Sequence, residues 1–131
     1  MPSILLVDDD RELLKVTAHL LTVYGHQVFC AGNGMDAIKV MEREAVELVI
    51  TDILMPDMDG CELIMALRSR PTPPRIIAIS GGSGRLDSDY LLELARVMKA
   101  DKVLHKPFDL ANISAAISEV LQMQPVGPSA C

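Results

Sequence analysis

The sequence predicts an α/β fold: a five-stranded parallel sheet with helices on both faces. Three observations carry this. Five short aliphatic runs occur along the chain, and they are continuous rather than alternating, as expected of strands buried on both faces. Helix-spaced apolar stripes separate them. Strand and helix then alternate five times, the pattern of a parallel sheet with right-handed crossovers.

The first run, Ile4 to Val7, ends in three aspartates. The first helical stripe follows at Leu13, Val16, Leu20 and Tyr24, with Gly25 placed to stop it. Val28 to Ala31 is the second strand, and Ala37, Ile38 and Met41 mark the second helix. Val46 to Thr51 is the third strand. Leu63, Ile64 and Leu67 form the third stripe, ended by Pro71, Pro73 and Pro74. Arg75 to Ser80 is the fourth strand, with Leu91, Leu94, Ala95 and Met98 as the fourth stripe. Val103 to His105 is the fifth strand, and Ile113, Ala116, Ile117, Val120 and Leu121 complete the fifth stripe. This is the flavodoxin-like, doubly wound (βα)5 order, whose ligands sit beyond the carboxyl ends of the strands. The chain of 131 residues suits one domain, 1–123. Residues 124–131, with two prolines, a glycine and no periodicity, are expected to be a disordered tail or a linker stub.

Composition narrows the function. Twelve Lys and Arg stand against 18 Asp and Glu, for a net charge of -6. An acidic chain without a basic patch is a poor partner for nucleic acid, and with no Trp, two Tyr and two Phe it offers few stacking platforms. Cationic partners or metal ions fit better. Cys30, Cys61 and Cys131 have no CxxC spacing, and no basic, long-apolar leader precedes them; reduced thiols and a cytoplasmic setting are expected. No apolar run approaches the length of a membrane span.

The chemistry-bearing residues follow the strands: Asp8, Asp9 and Asp10 after the first, Asp52 at the end of the third, Ser80 of the fourth and Lys106 of the fifth. In a parallel sheet these ends share one edge. Each residue alone has an ordinary explanation: an aspartate caps a helix or makes a turn, a serine before Gly81-Gly82 belongs to a loop, a lysine is solvated. Their coincidence at four strand ends favours a site. Converging carboxylates repel one another unless a cation joins them. Oxygen ligands without His or Cys point to a hard ion, and Mg²⁺, which takes carboxylates, waters and phosphate oxygens, fits. Asp52 could then act as a nucleophile toward phosphorus, with Lys106 and Ser80 meeting the charge of the transferred group.

From Ser3 to about Gln122 the sequence resembles the response-regulator receiver domains of two-component signalling. Ile4-Leu5-Leu6-Val7-Asp8-Asp9-Asp10 is similar to the family's acidic-pair strand, Asp52-Ile53-Leu54-Met55-Pro56-Asp57-Met58-Asp59-Gly60 to its phosphoacceptor loop, and Lys106-Pro107-Phe108 to its lysine–proline signature. The resemblance implies that Asp52 is phosphorylated by a histidine kinase or phosphotransfer protein. It implies Mg²⁺ on Asp9 directly, on Asp8 partly through water, on Asp52 and on the Leu54 carbonyl. It makes Ser80 the switch hydroxyl and Lys106 the phosphate-binding lysine, with a cis Lys106–Pro107 peptide. The output face would be the fourth helix, fifth strand and fifth helix, where Leu92, Val97 and Ala115 are candidate apolar contacts. The protein is expected to be a monomer or weak dimer, and an enzyme only toward itself.

Departures from the family pattern carry expectations too. The position three before the lysine is Val103, where an aromatic residue is common, so the output change is expected to be smaller or differently built. Leu54 and Gly82, two residues after Asp52 and Ser80, offer no side chain to help water attack a phosphoryl group, so self-dephosphorylation is expected to be slow. Gly81, Gly82 and Gly84 provide a permissive loop, a hinge that lets the chain close on the phosphate.

Three rival readings stand beside this one. A haloacid-dehalogenase-type phosphatase needs a second Asp two residues after the nucleophile, where this chain has Leu54. A flavodoxin-like cofactor site needs a phosphate cradle, where Asp8-Asp9-Asp10 would repel a phosphate. A degenerate receiver would bind partners without phosphorylation, but the reactive positions are all filled.

Overall fold

A computed structural model describes residues 2–53, 60–80, 93, 96–105 and 109–122 of the chain, with Ser80 and Leu110 described by their backbone. Five strands, β1 (Ser3–Val7), β2 (Gln27–Ala31), β3 (Leu48–Asp52), β4 (Arg75–Ser80) and β5 (Lys102–His105), form one parallel sheet in the order β2-β1-β3-β4-β5. Helices α1 (Arg11–Val23), α2 (Gly34–Arg43), α3 (Gly60–Arg68) and α4 (Leu110–Gln122) cover it. The last of these is the fifth stripe of the sequence. The fourth stripe falls mostly outside the described residues: Glu93, Arg96 and Val97 are helical, whereas Leu91, Leu92, Leu94 and Ala95 are not described.

Alternation along the central strands builds two cores. Leu5, Val7, Val49, Ile76 and Ala78 face one way and pack against Ala37, Val40 and Met41 of α2 and Leu63, Ile64 and Leu67 of α3. Ile4, Leu6, Leu48, Ile50, Ile77 and Ile79 face the other way, onto Leu21 of α1 and Ile113, Ala116, Ile117 and Val120 of α4. β1 and β3 are buried along their whole length, matching their unbroken apolar runs. The edge strands β2 and β5, each paired with a single neighbour, are less buried than the central strands.

Local signals set the helix ends. The Asp10 side chain caps α1 by accepting from the Leu13 amide at 3.1 Å, and Asn33 caps α2 by accepting from the Asp36 amide at 2.8 Å. α1 closes at Tyr24, and Gly25 follows with φ +95°, a left-handed conformation that glycine adopts at little cost. The third strand starts at Leu48, not Val46: the Glu47 amide donates to both the carbonyl and the hydroxyl oxygen of Ser3, so residue 47 closes the loop and pairing begins one step later. At the opposite end of the sheet from the aspartates, Arg68 donates to the Lys99 carbonyl, and the Asp101 carboxylate accepts from the Ile76 amide at 2.7 Å. No described helix is long and apolar enough to cross a membrane.

Candidate functional site at the carboxyl edge of the sheet

The chain leaves β1 toward β2 on one side, and later crosses back to lay β3 on the other side of β1. That reversal opens a crevice at the carboxyl ends of β1 and β3, the place where doubly wound sheets hold ligands. The register fixes what lies there. Val7 pairs with Thr51, so Asp8 and Asp52 leave their strands at the same level. Asp52 pairs with Ile79, one residue before Ser80, and Ser80 pairs with His105, the residue before Lys106.

Asp8, Asp9 and Asp52 each bring a carboxylate oxygen to within 4.8 Å of the others. Asp8 and Asp52 are buried, at 8% and 5% exposure, while Asp9 is open to solvent. Asp8 is aimed by its own loop: the Asp10 amide donates to its Oδ1 at 2.9 Å. Two buried carboxylates at such range repel by roughly 3–4 kcal/mol at an effective dielectric near 20. A cation between them removes that cost. The donors are all carboxylate oxygens, with exposed Asp9 leaving a side open for water, which suits a hard ion such as Mg²⁺.

Of the residues singled out from sequence, the structure thus brings together Asp8, Asp9 and Asp52, and puts the backbone of Ser80 on the same edge. Leu54, Lys106, the Lys106–Pro107 peptide, Gly81, Gly82, Gly84 and the tail 124–131 lie outside the described residues. Val103 is half-buried and packs against the core shared with α2 and α3. Val97 and Ala115 are exposed. Neither Cys30 nor Cys61 is in a disulfide; partial burial pushes the Cys30 thiol above its usual range, which does not favour an activated nucleophile. Gly60 and Thr51 pack against the backbone of Asp52, a role that neither residue type announces in the sequence. Gly60 ends the phosphoacceptor-like segment and precedes an apolar stripe, which is the one hint the sequence holds.

The model of the response regulator receiver domain matches residues 4–118. The chain belongs to that family. It is 36% identical over 122 residues to the transcriptional regulatory protein CpxR of Escherichia coli K12, covering 93% of this receiver and 50% of that protein. It is 32% identical over 119 residues to the probable transcriptional regulator ycf27 of Cyanidium caldarium, covering 91% of this receiver and 46% of that protein. The receiver therefore spans about half the length of these relatives. Among solved structures it is similar to a response regulator receiver domain from Clostridium thermocellum, with TM-score 0.82 and 25% identity over 92% of this chain and 94% of that one. It is also similar to the response regulator TrrA from Thermotoga maritima, solved in complex with Mg²⁺–BeF, with TM-score 0.76 and 26% identity over 92% and 99%.

Proposed function

We propose that this receiver is a phosphoacceptor switch in which Asp52 takes a phosphoryl group in a Mg²⁺-dependent transfer. The observation that carries the reading is the convergence of Asp8, Asp9 and Asp52 at the switch point of the sheet. The Mg²⁺–BeF complex of a similar response regulator supports the choice of ion.

In this reading Asp8, Asp9 and Asp52 hold the ion, with the Leu54 carbonyl as a further ligand. When bound, Mg²⁺ cancels carboxylate repulsion and draws charge from the phosphoryl oxygens. The chain's own residues do the rest. An oxygen of the Asp52 carboxylate attacks phosphorus, the P–N bond to the donor histidine breaks as the new P–O bond forms, and the imidazole leaves as the neutral ring after taking a proton. Burial of Asp52 keeps bulk water from competing for the phosphoryl group. Lys106 pairs with the phosphoryl charge and Ser80 donates a hydrogen bond to it. The acyl phosphate adds a charge near -1.5 to -2, favouring conformations in which Ser80 and Lys106 reach its oxygens. The domain catalyses its own modification, with a histidine kinase or phosphotransfer protein as donor and partner binding as output. In this reading the setting is cytoplasmic, as the cysteine spacing leads one to expect.

The test is phosphorylation by a small donor, phosphoramidate, followed by intact mass with and without Mg²⁺. The expected outcome is a single phosphoryl adduct that needs the metal. Adduct formation at equal rate in chelator would contradict the metal's role.

A further inference from the structure

We propose that Gly60 and Thr51 clasp the backbone carbonyl of Asp52, and that this clasp positions the carboxylate for phosphoryl transfer. The inference rests on the phosphoacceptor reading of Asp52 and adds two positioning residues to it.

Gly60 is buried at the start of α3, and its amide donates to the Ile53 carbonyl at 2.7 Å. A Cβ at this position would lie 2.3 Å from the Asp52 carbonyl oxygen, 2.5 Å from the Ile53 Cα and 3.0 Å from the Asp52 carbonyl carbon. All three are backbone atoms, so no side chain can turn aside to make room. Only a hydrogen fits. Thr51 is fully buried, and its hydroxyl donates to the same Asp52 carbonyl at 2.9 Å.

Neither side of this contact can give way freely. The Ile53 amide donates to the Ile79 carbonyl at 2.9 Å, and Asp52 is in register with Ile79, so the end of β3 is tied to β4. α3 is anchored by Leu63, Ile64 and Leu67, all fully buried. A methyl group at position 60 must therefore move either α3 or the Asp52–Ile53 peptide by about 1 Å. Displacement of that size at a reacting group costs about 100-fold in rate. Asp52 is adjacent to the contact, so the shift reaches the carboxylate directly.

The test compares wild type, Gly60→Ala, Thr51→Val and Ile117→Ala. The last removes buried bulk from α4, on the other face of the sheet from α3. Folded fraction is read by circular dichroism and phosphorylation by phosphoramidate and Mg²⁺ is followed by intact mass. The expected result, per folded molecule, is a drop of about 100-fold for Gly60→Ala, a smaller drop for Thr51→Val, and the wild-type rate for Ile117→Ala. A folded Gly60→Ala phosphorylated as fast as wild type or Ile117→Ala overturns the clasp. Should Gly60→Ala not fold, a wild-type rate for Thr51→Val, where an isosteric methyl keeps the buried site filled, overturns it. Wild type that takes no phosphoryl group refutes the phosphoacceptor role of Asp52, and the clasp falls with it.

Discussion

Asp8, Asp9 and Asp10 are identical side chains on consecutive residues, yet their surroundings divide them. Asp10 turns toward α1 and caps it. Asp8 is buried and held by the Asp10 amide, and Asp9 stays at the solvent side of the carboxylate cluster. Asp is favoured at an N-cap, which accounts for Asp10, while it is the resemblance to receiver domains that implies a metal role for Asp8 and Asp9. Replacement tests this division. Asp10→Ala is expected to lower stability by about 1 kcal/mol, measured by urea denaturation, and to leave the phosphorylation rate near wild type. Asp9→Ala is expected to do the reverse: little change in urea midpoint, and a steep rise in the Mg²⁺ concentration needed for phosphorylation.

At the scale of elements, strands and helices were legible because each buries a face, and burial leaves a period in the sequence. β1 and β3 read as unbroken aliphatic runs, and their register then brings Asp8 level with Asp52. The carboxylate cluster could thus be inferred before its distances were known. The contact between Gly60 and Asp52 could not, since it depends on how α3 is laid across the end of β3, and no local pattern encodes that. The start of β3 shifted from Val46 to Leu48 for a similar reason: Ser3, more than 40 residues away in sequence, takes the Glu47 amide. Leu54 and Gly82, which lie outside the described residues, carry a chemical expectation of their own. Leu54 and Gly82 cannot orient a water, so the phosphorylated protein, freed of donor by gel filtration, is expected to keep its adduct well beyond seconds. Installing Asn at position 54 should shorten that lifetime; decay within seconds in the wild-type protein would contradict the reading.

For the whole molecule, the proposed metal site would couple stability to Mg²⁺. The two cores share one sheet, and the ends of β1 and β3 that carry the cluster belong to both. An ion bound only in the folded state therefore stabilises the entire domain. At ten times its dissociation constant, Mg²⁺ is expected to add about 1.4 kcal/mol, seen as a rise in thermal midpoint over NaCl of equal ionic strength. Asp52→Asn is expected to raise the metal-free midpoint, by relieving repulsion, and to blunt the response to Mg²⁺. An equal Mg²⁺ response in Asp52→Asn and wild type would remove Asp52 from the metal site. Phosphorylation draws on the same linkage: the switch can move only as far as the modified site prefers one state, and a full conversion from 1:99 to 99:1 needs about 5.5 kcal/mol. Val103 is half-buried at a position where the resemblance implies an aromatic residue, so a smaller or differently built response is expected.

In the proposed function, Asp52 is the residue that accepts the phosphoryl group. Intact mass spectrometry of wild type and Asp52→Asn, each incubated with phosphoramidate and Mg²⁺, tests it most directly. One phosphoryl adduct is expected on the wild type and none on Asp52→Asn. No adduct on the wild type, or an adduct that survives the substitution, would contradict it.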